Sequence, residues 1–156
     1  MKALVVYYSR TGNTRKAGKE IARELGCDVE EIVDTVNRAG PIGFIMAGKQ
    51  ASSKGLTKLK PLTKDPSQYD LVIIGTPVWA ATMSSPVRTF IVENKDKLKN
   101  VAFFITLGGT GEASTLQGME EACGKKPMAT LTILTSDIKP GAYLDTLKKF
   151  VSGLKP

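Results

Sequence analysis

The 156-residue chain contains no histidine. That removes the commonest general base, any histidine-dependent triad and any histidine-ligated zinc site. Cysteine is nearly as scarce. Cys27 and Cys123 show neither metal-type nor redox-type spacing and read as small buried apolar residues. Neither opens a phosphate loop ending in arginine, which excludes a cysteine phosphatase. There is one tryptophan, Trp79. No apolar run is long enough to span a bilayer. No signal-peptide cleavage region follows Lys2, so a cytoplasmic location is the expectation. One sign of charge is missing locally: no carboxylate lies between Asp34 and Asp65.

With 42% hydrophobic and 24% charged residues, the chain is too apolar for global disorder. Its length suits one domain over residues 1–156, able to bury roughly 70% of its unfolded surface. Apolar runs and helical patterns alternate. Lys2–Tyr8 reads as a buried strand, Thr14–Leu25 as a helix stopped by Gly26, and Cys27–Val33 as a second strand whose acidic residues suit an edge. Leu71–Thr76, Val101–Leu107 and Met128–Leu134 complete a set of five strands. Ser85 as cap and Pro86 at the first position start a helix carrying Val87, Phe90 and Ile91. Leu116, Met119 and Cys123 mark the next helix, and Leu144, Leu147, Val151 and Leu154 the last. Strands apolar throughout must be covered on both faces. The expected fold is therefore α/β, a doubly wound five-stranded parallel sheet with helices on both faces.

In such a sheet, ligands bind beyond the carboxyl ends of the strands. Three loops leave those ends. Ser9-Arg10-Thr11-Gly12-Asn13-Thr14 joins the first strand to the first helix. A helix N-terminus presents unpaired N–H groups and favours negative charge. Hydroxyls and a glycine at that point read as a phosphate cradle, with Arg10 adding a charge-assisted contact. The turn is neither a Walker loop nor a GxGxxG fingerprint. The second loop, Pro77–Met83, carries Trp79 between Val78 and the small Ala80 and Ala81, a plane for ring stacking. The third, Gly108-Gly109-Thr110-Gly111-Glu112, lets backbone groups approach a flat ligand edge.

In Val5–Ser9 with Gly12, Asn13, Thr14 and Ile21, in Thr76–Trp79 and in Gly108–Glu112, the chain resembles the flavodoxin family over nearly its whole length. Flavodoxin is itself the standing example of strand order 2-1-3-4-5 with FMN at the switch point. The resemblance implies FMN as cofactor. Ser9, Thr11, Asn13 and Thr14 would hold its phosphate. Trp79 would cover one ring face, and the backbone of Gly108, Gly109, Thr110 and Gly111 would read the pyrimidine edge. Arg10, Gly12, Thr76, Pro77, Val78, Ala80, Thr106, Leu107 and Glu112 complete the implied cofactor-binding set. No catalytic acid or base is needed, because the flavin carries the chemistry. The leading expectation is an electron carrier between a reductase and an acceptor; the alternative is an FMN-dependent NAD(P)H or quinone oxidoreductase. A phospho-acceptor signalling domain of like topology is rejected, because Tyr7, Tyr8, Ser9 and Thr76 stand where it needs acidic residues.

Three departures matter. Gly18 stands where the family often has alanine; both are small, so packing on the sheet is expected to survive either. Gly108–Ser114 holds no aromatic residue, so one ring face is expected to be open unless Tyr143 or another side chain blocks it. The net charge is +7, whereas electron-shuttling flavodoxins are usually acidic. Arg38, Lys49, Lys54, Lys58, Lys60 and Lys64 account for the excess, and setting those six aside leaves 16 basic against 15 acidic residues. Residues 38–64 thus read as a solvated cationic face, a dock for an acidic redox protein, or a site for NAD(P)H phosphates. Nucleic acid is not expected, since aromatics are not interleaved with the lysines, nor is a membrane. Ile42, Phe44, Ile45 and Met46 predict a short apolar helix packed over the sheet in this segment.

Overall fold

The computed structural model describes residues 1–155; the last residue of the expected 1–156 domain, Pro156, lies outside them. Its spine is β1 (Ala3–Tyr7), buried at every position. Leu4 and Val6 enter one core, while Ala3, Val5 and Tyr7 enter the other. This two-faced burial is what an uninterrupted apolar run requires. The same division holds in β3 (Leu71–Trp79) and β5 (Asn100–Leu107). The chain order adds α1 (Asn13–Leu25), β2 (Asp28–Glu31), α2 (Gly40–Ser52), β4 (Thr82–Met83), α3 (Ser85–Asn94), α4 (Glu112–Cys123), β6 (Thr130–Leu134) and α5 (Leu144–Leu154).

The parallel strands run β2-β1-β3-β5-β6, with β4 pairing antiparallel to β3 outside that path. Apart from the β4 hairpin, this is the expected order. Helices α1 and α5 cover one face; α2, α3 and α4 cover the other. The acidic strand β2 does lie at an edge. Its buried Glu30 accepts from Thr63 N, Thr63 Oγ1 and Lys64 N at 3.2, 2.7 and 2.9 Å, so the returning crossover satisfies a carboxylate that water cannot reach.

Two local expectations change. The cap of α3 is Ser84, whose Oγ accepts from Val87 N, and Ser85 already lies inside the helix. More consequentially, α2 exists but faces the other way. Gly43, Ala47 and Ala51 are buried, while Ile42, Phe44, Ile45 and Met46 are exposed. The reason is closeness of approach. A Cβ on Gly43 would lie 2.3 Å from the Arg38 carbonyl group, so only the small-residue face fits against the preceding segment.

Gly18 also behaves differently from expectation. A Cβ there would stand 2.5 Å from Cδ1 of the buried Tyr7 ring, so alanine is not an equivalent residue. Gly18→Ala is expected to destabilise the protein by about 1–3 kcal/mol, the usual cost of overpacking. A urea midpoint equal to that of the parent would contradict it.

Tyr7 Oη donates to Glu31 Oε1 at 3.2 Å, and Arg15 grips the same carboxylate with Nε and Nη2 at 2.9 and 2.7 Å. The Arg15 fork holds the Glu31 carboxyl below its usual range, against the opposing effect of partial burial. Its stabilisation is complete above the ordinary glutamate pKa and fades as pH falls through the lower folded value. Stability therefore declines below about pH 4.5 partly through this residue. In Glu31→Gln, chemical denaturation across pH 3–6 should show a shallower slope.

Candidate functional site

The turn after β1 is built from its own side chains. Ser9 Oγ accepts from Gly12 N at 3.0 Å, and Gly12 adopts a left-handed φ of 103° as the cap of α1. The cap is a glycine with no side-chain hydrogen bond, and the first turn of α1 contains no acidic residue. Its leading N–H groups therefore meet no side-chain acceptor, which leaves them for an anion. Thr14 is buried and shares a 2.8 Å hydrogen bond with Thr106 Oγ1, tying the start of α1 to the end of β5. Thr11 is exposed and Asn13 half-buried beside it.

Past the sheet, β3 continues as Pro77-Val78-Trp79 and turns back through Ala80 and Ala81 into β4. The two alanines hold φ of 50° and 61°, the left-handed pair that a tight hairpin demands and that asparagine and glycine normally supply. Each such residue costs roughly 1–2 kcal/mol. The turn is held from outside: Ser114 Oγ donates to Ala81 O at 2.6 Å, and Gly111, at φ 98°, packs so closely that a Cβ would stand 2.8 Å from Ala81 Cα. The second and third loops are thus braced against each other.

These loops meet where the strand order reverses, at β1 and β3, with β5 alongside. A recess of about 170 Å³ lies between them. Arg10, Thr11, Asn13 and Thr14 line it from the first loop, Pro77, Val78 and Trp79 from the second, and Thr106, Leu107 and Gly108 from the third. At its rim Gly108 and Gly109 have open space where a side chain would stand. Among the described residues, Arg10 is the only ionisable one in the lining.

The remaining expected residues have other places. Ser9 and Gly12 shape the first turn. The Thr76 hydroxyl is buried, accepting from Ser84 N at 3.0 Å, and so fixes the start of α3. Ala80 and Gly111 shape the paired turns, and Thr110 is exposed. Glu112 turns from the recess to accept from Thr132 Oγ1 at 2.9 Å. Arg10 lines the recess, yet its Nε and Nη2 donate to the carbonyls of Arg38 and Gly40, both at 2.9 Å, making it a strap on the crossover.

Trp79 is less open than expected, at 8% exposure. Tyr8 meets it edge-on at 5.5 Å, and the Arg38 guanidinium lies 5.5 Å from its ring centre. Arg38 is accordingly not part of a solvated cationic face. It is buried, with Nε 2.6 Å from Asp34 Oδ2 and Nη2 on Gln50 Oε1. Tyr143, named above as a residue that would block the open ring face, is buried in the α1/α5 core instead. Besides Trp79, Phe44 of α2 lines the recess, 64% exposed, with the Arg10 guanidinium 5.3 Å from its ring centre. Phe44 and Thr135, which follows β6, line the recess without having been anticipated. Phe44 reaches the recess because the steric limit at Gly43 sets which face of α2 packs, and Thr135 left no local signal.

The sequence profile described as Flavodoxin matches residues 2–149. The chain belongs to the flavodoxin family. A flavoprotein in complex with FMN from Lactobacillus acidophilus NCFM is 25% identical, with a TM-score of 0.74, covering 92% of this chain and 98% of that one. The two-electron reduced flavodoxin of Megasphaera elsdenii is 21% identical, with a TM-score of 0.58 over 96% and 98% of the two chains. The apo form of an NADH:FMN oxidoreductase shares the fold at 14% identity, with a TM-score of 0.60 over 97% and 87%. A search of curated protein sequences finds no match. Among the described residues of this flavodoxin-family chain, no helix is long and apolar enough to cross a membrane, and no group of acidic or cysteine residues is arranged to hold a metal ion.

Proposed function

We propose that this chain binds FMN at the recess and passes electrons between a reductase and an acceptor. The observation that carries the reading is the convergence of three loops on the β1/β3 switch point, with the N-terminus of α1, uncapped by any side chain, at one end and glycine backbone at the other. The residues present fit the cofactor. The first N–H groups of α1, with Thr11, Asn13 and the Thr14 hydroxyl, would hold the phosphate. Trp79 and Val78 would form the wall beside the ring, and the Gly108–Gly109 backbone would meet its polar edge. The recess is smaller than the roughly 300–1,000 Å³ of most ligand sites, so the open glycine rim would carry part of the ligand.

FMN supplies one- and two-electron chemistry when bound. The chain contributes binding, orientation and charge. Among the described residues the lining has no carboxylate, lysine or cysteine to deliver a proton to a bound quinone, which favours a carrier over an enzyme acting directly on quinones. The dock for a partner is the lysine-rich crossover. Without the buried Arg38 it comprises Lys49, Lys54, Lys58, Lys60 and Lys64, a surface suited to an acidic protein.

Titrating the metal-free, flavin-free protein with FMN should quench flavin fluorescence at one equivalent. Thr14→Val should weaken binding by about tenfold, the value of one hydrogen bond to a charged group. NADPH alone should leave the flavin band intact, while the chemically reduced protein should reduce ferricyanide. Undiminished flavin fluorescence would remove the cofactor assignment. Rapid bleaching by NADPH alone would replace the carrier with the oxidoreductase.

A further inference from the structure

The geometry points to a second ligand site, a groove on the α3/α4 face that takes the oxyanion of a small organic phosphate or carboxylate. It has a volume of about 560 Å³ and is separate from the recess. Arg88 of α3 lines it together with Lys54, Thr82, Ser114 and Gln117.

The case rests on Arg88. Its Nη2 donates to Thr82 Oγ1 at 3.0 Å, while its Nε is shut away from water with no acceptor. No carboxylate lies within ion-pair distance of it among the described residues. Arg88 is half-buried, and a guanidinium partly withdrawn from water without a counter-charge is costly to keep. Partial burial pushes its pKa below the usual arginine value. The planar fork of arginine suits a phosphate or carboxylate held by two parallel bonds. Lys54 supplies a second positive charge across the groove. Ser114 and Gln117 offer further polar atoms, though each has an internal bond: Ser114 Oγ to Ala81 O, and Gln117 Nε2 to Glu121 Oε1. Among the described residues, Glu121 is the one acidic group in the lining, and it bars a ligand negative along its whole length. A ligand with one anionic end and a neutral body fits this distribution.

The groove also touches the strained hairpin. Thr82 and Ala81 form its wall and directly follow Trp79 and Ala80 in the turn. Occupancy is therefore expected to be felt by the single tryptophan.

The test uses the purified protein, with inorganic phosphate and acetate as separate probes. Proton–nitrogen NMR follows the Arg88 Nε–H and Gln117 side-chain signals, and Trp79 fluorescence is read in parallel. Saturable shifts of both NMR signals are expected in the parent, with binding weakened about tenfold or more in Arg88→Met, read at the Gln117 signal, and measurably in Lys54→Gln, read at both. Stronger binding of phosphate assigns a phosphate ester; stronger binding of acetate assigns a carboxylate. Lys54 is exposed, so its variant keeps the test valid if Arg88→Met unfolds. Shifts confined to other surface lysines, or binding unchanged in both variants, would overturn the site. The outcome does not depend on FMN, so it can fail while the flavin reading stands.

Discussion

Replacing Gly75 with alanine should strongly destabilise this protein. Gly75 lies in β3 between Tyr7 of β1 and Phe104 of β5, its register partners on either side. The Phe104 ring occupies the volume that a side chain at Gly75 would need. A Cβ there would stand 1.9 Å from Phe104 Cζ and within 2.4 Å of two more ring atoms. Phe104 has no room to yield, since it is fully buried against α1 and α5 residues. Both strands are central, so backbone movement would disturb the neighbouring ladders. We expect a loss of about 3 kcal/mol or more, at the upper end of overpacking costs. For a domain of this size that is a drop in Tm of roughly 10 °C. Phe104→Leu alone should also destabilise, by opening a cavity. Combined with Gly75→Ala it should recover part of the loss, giving a favourable coupling in a double-mutant cycle. Strict additivity of the two changes would show that the ring and the missing side chain are not sharing one space.

The second large effect concerns the latch over Trp79. Removing the Arg38 guanidinium by substitution to methionine leaves the Asp34 carboxylate buried with hydroxyl and amide donors only, from Thr57 Oγ1 at 2.8 Å and Val36 N at 3.1 Å. Breaking a buried pair from one side typically costs about 3–5 kcal/mol. The damage should spread outward, because the Arg38 backbone carbonyl also receives Arg10 Nε and lies against Gly43. The crossover would loosen and the indole would lose its cover. Tryptophan fluorescence should shift to longer wavelength along with a lower urea midpoint. Arg38→Met with Asp34→Leu, which replaces both charges by apolar groups, should be more stable than Arg38→Met alone. If the single variant unfolds at the parental midpoint, the pair contributes nothing and the latch is misread.

The first prediction rests on a contact between residues far apart in the chain, and the second on a near neighbour whose pairing only burial reveals; neither is legible in the order of residues. The strands β1, β3 and β5 were legible because both faces of each are buried, which forces unbroken apolar runs. The helices α1 and α5 were legible because their buried positions repeat with helical spacing. The three loops were legible from hydroxyls, glycines and one tryptophan at strand ends. The orientation of α2 was not. Its large apolar residues suggested an inward face, but a steric limit at Gly43 outweighs their hydrophobicity and turns them out. The fate of Arg38 was not legible either. Charge counting places it with the lysines; its partner Asp34, only four residues away, is recognised as a partner only once both are buried. Likewise nothing local marks Ala80-Ala81 as a left-handed pair, since two alanines are poor material for it and the bracing comes from Gly111 and Ser114.

By itself, then, the order of residues determined the kind of layers, the succession of strands and helices, and the rim where the loops gather, because periodicity and turn chemistry act over a few residues. Which face α2 presents, which cation is buried, how far Trp79 is covered and which side chain approaches the recess were decided by packing. Those outcomes depend on how close two backbones can come, and that distance exists only after the chain has folded.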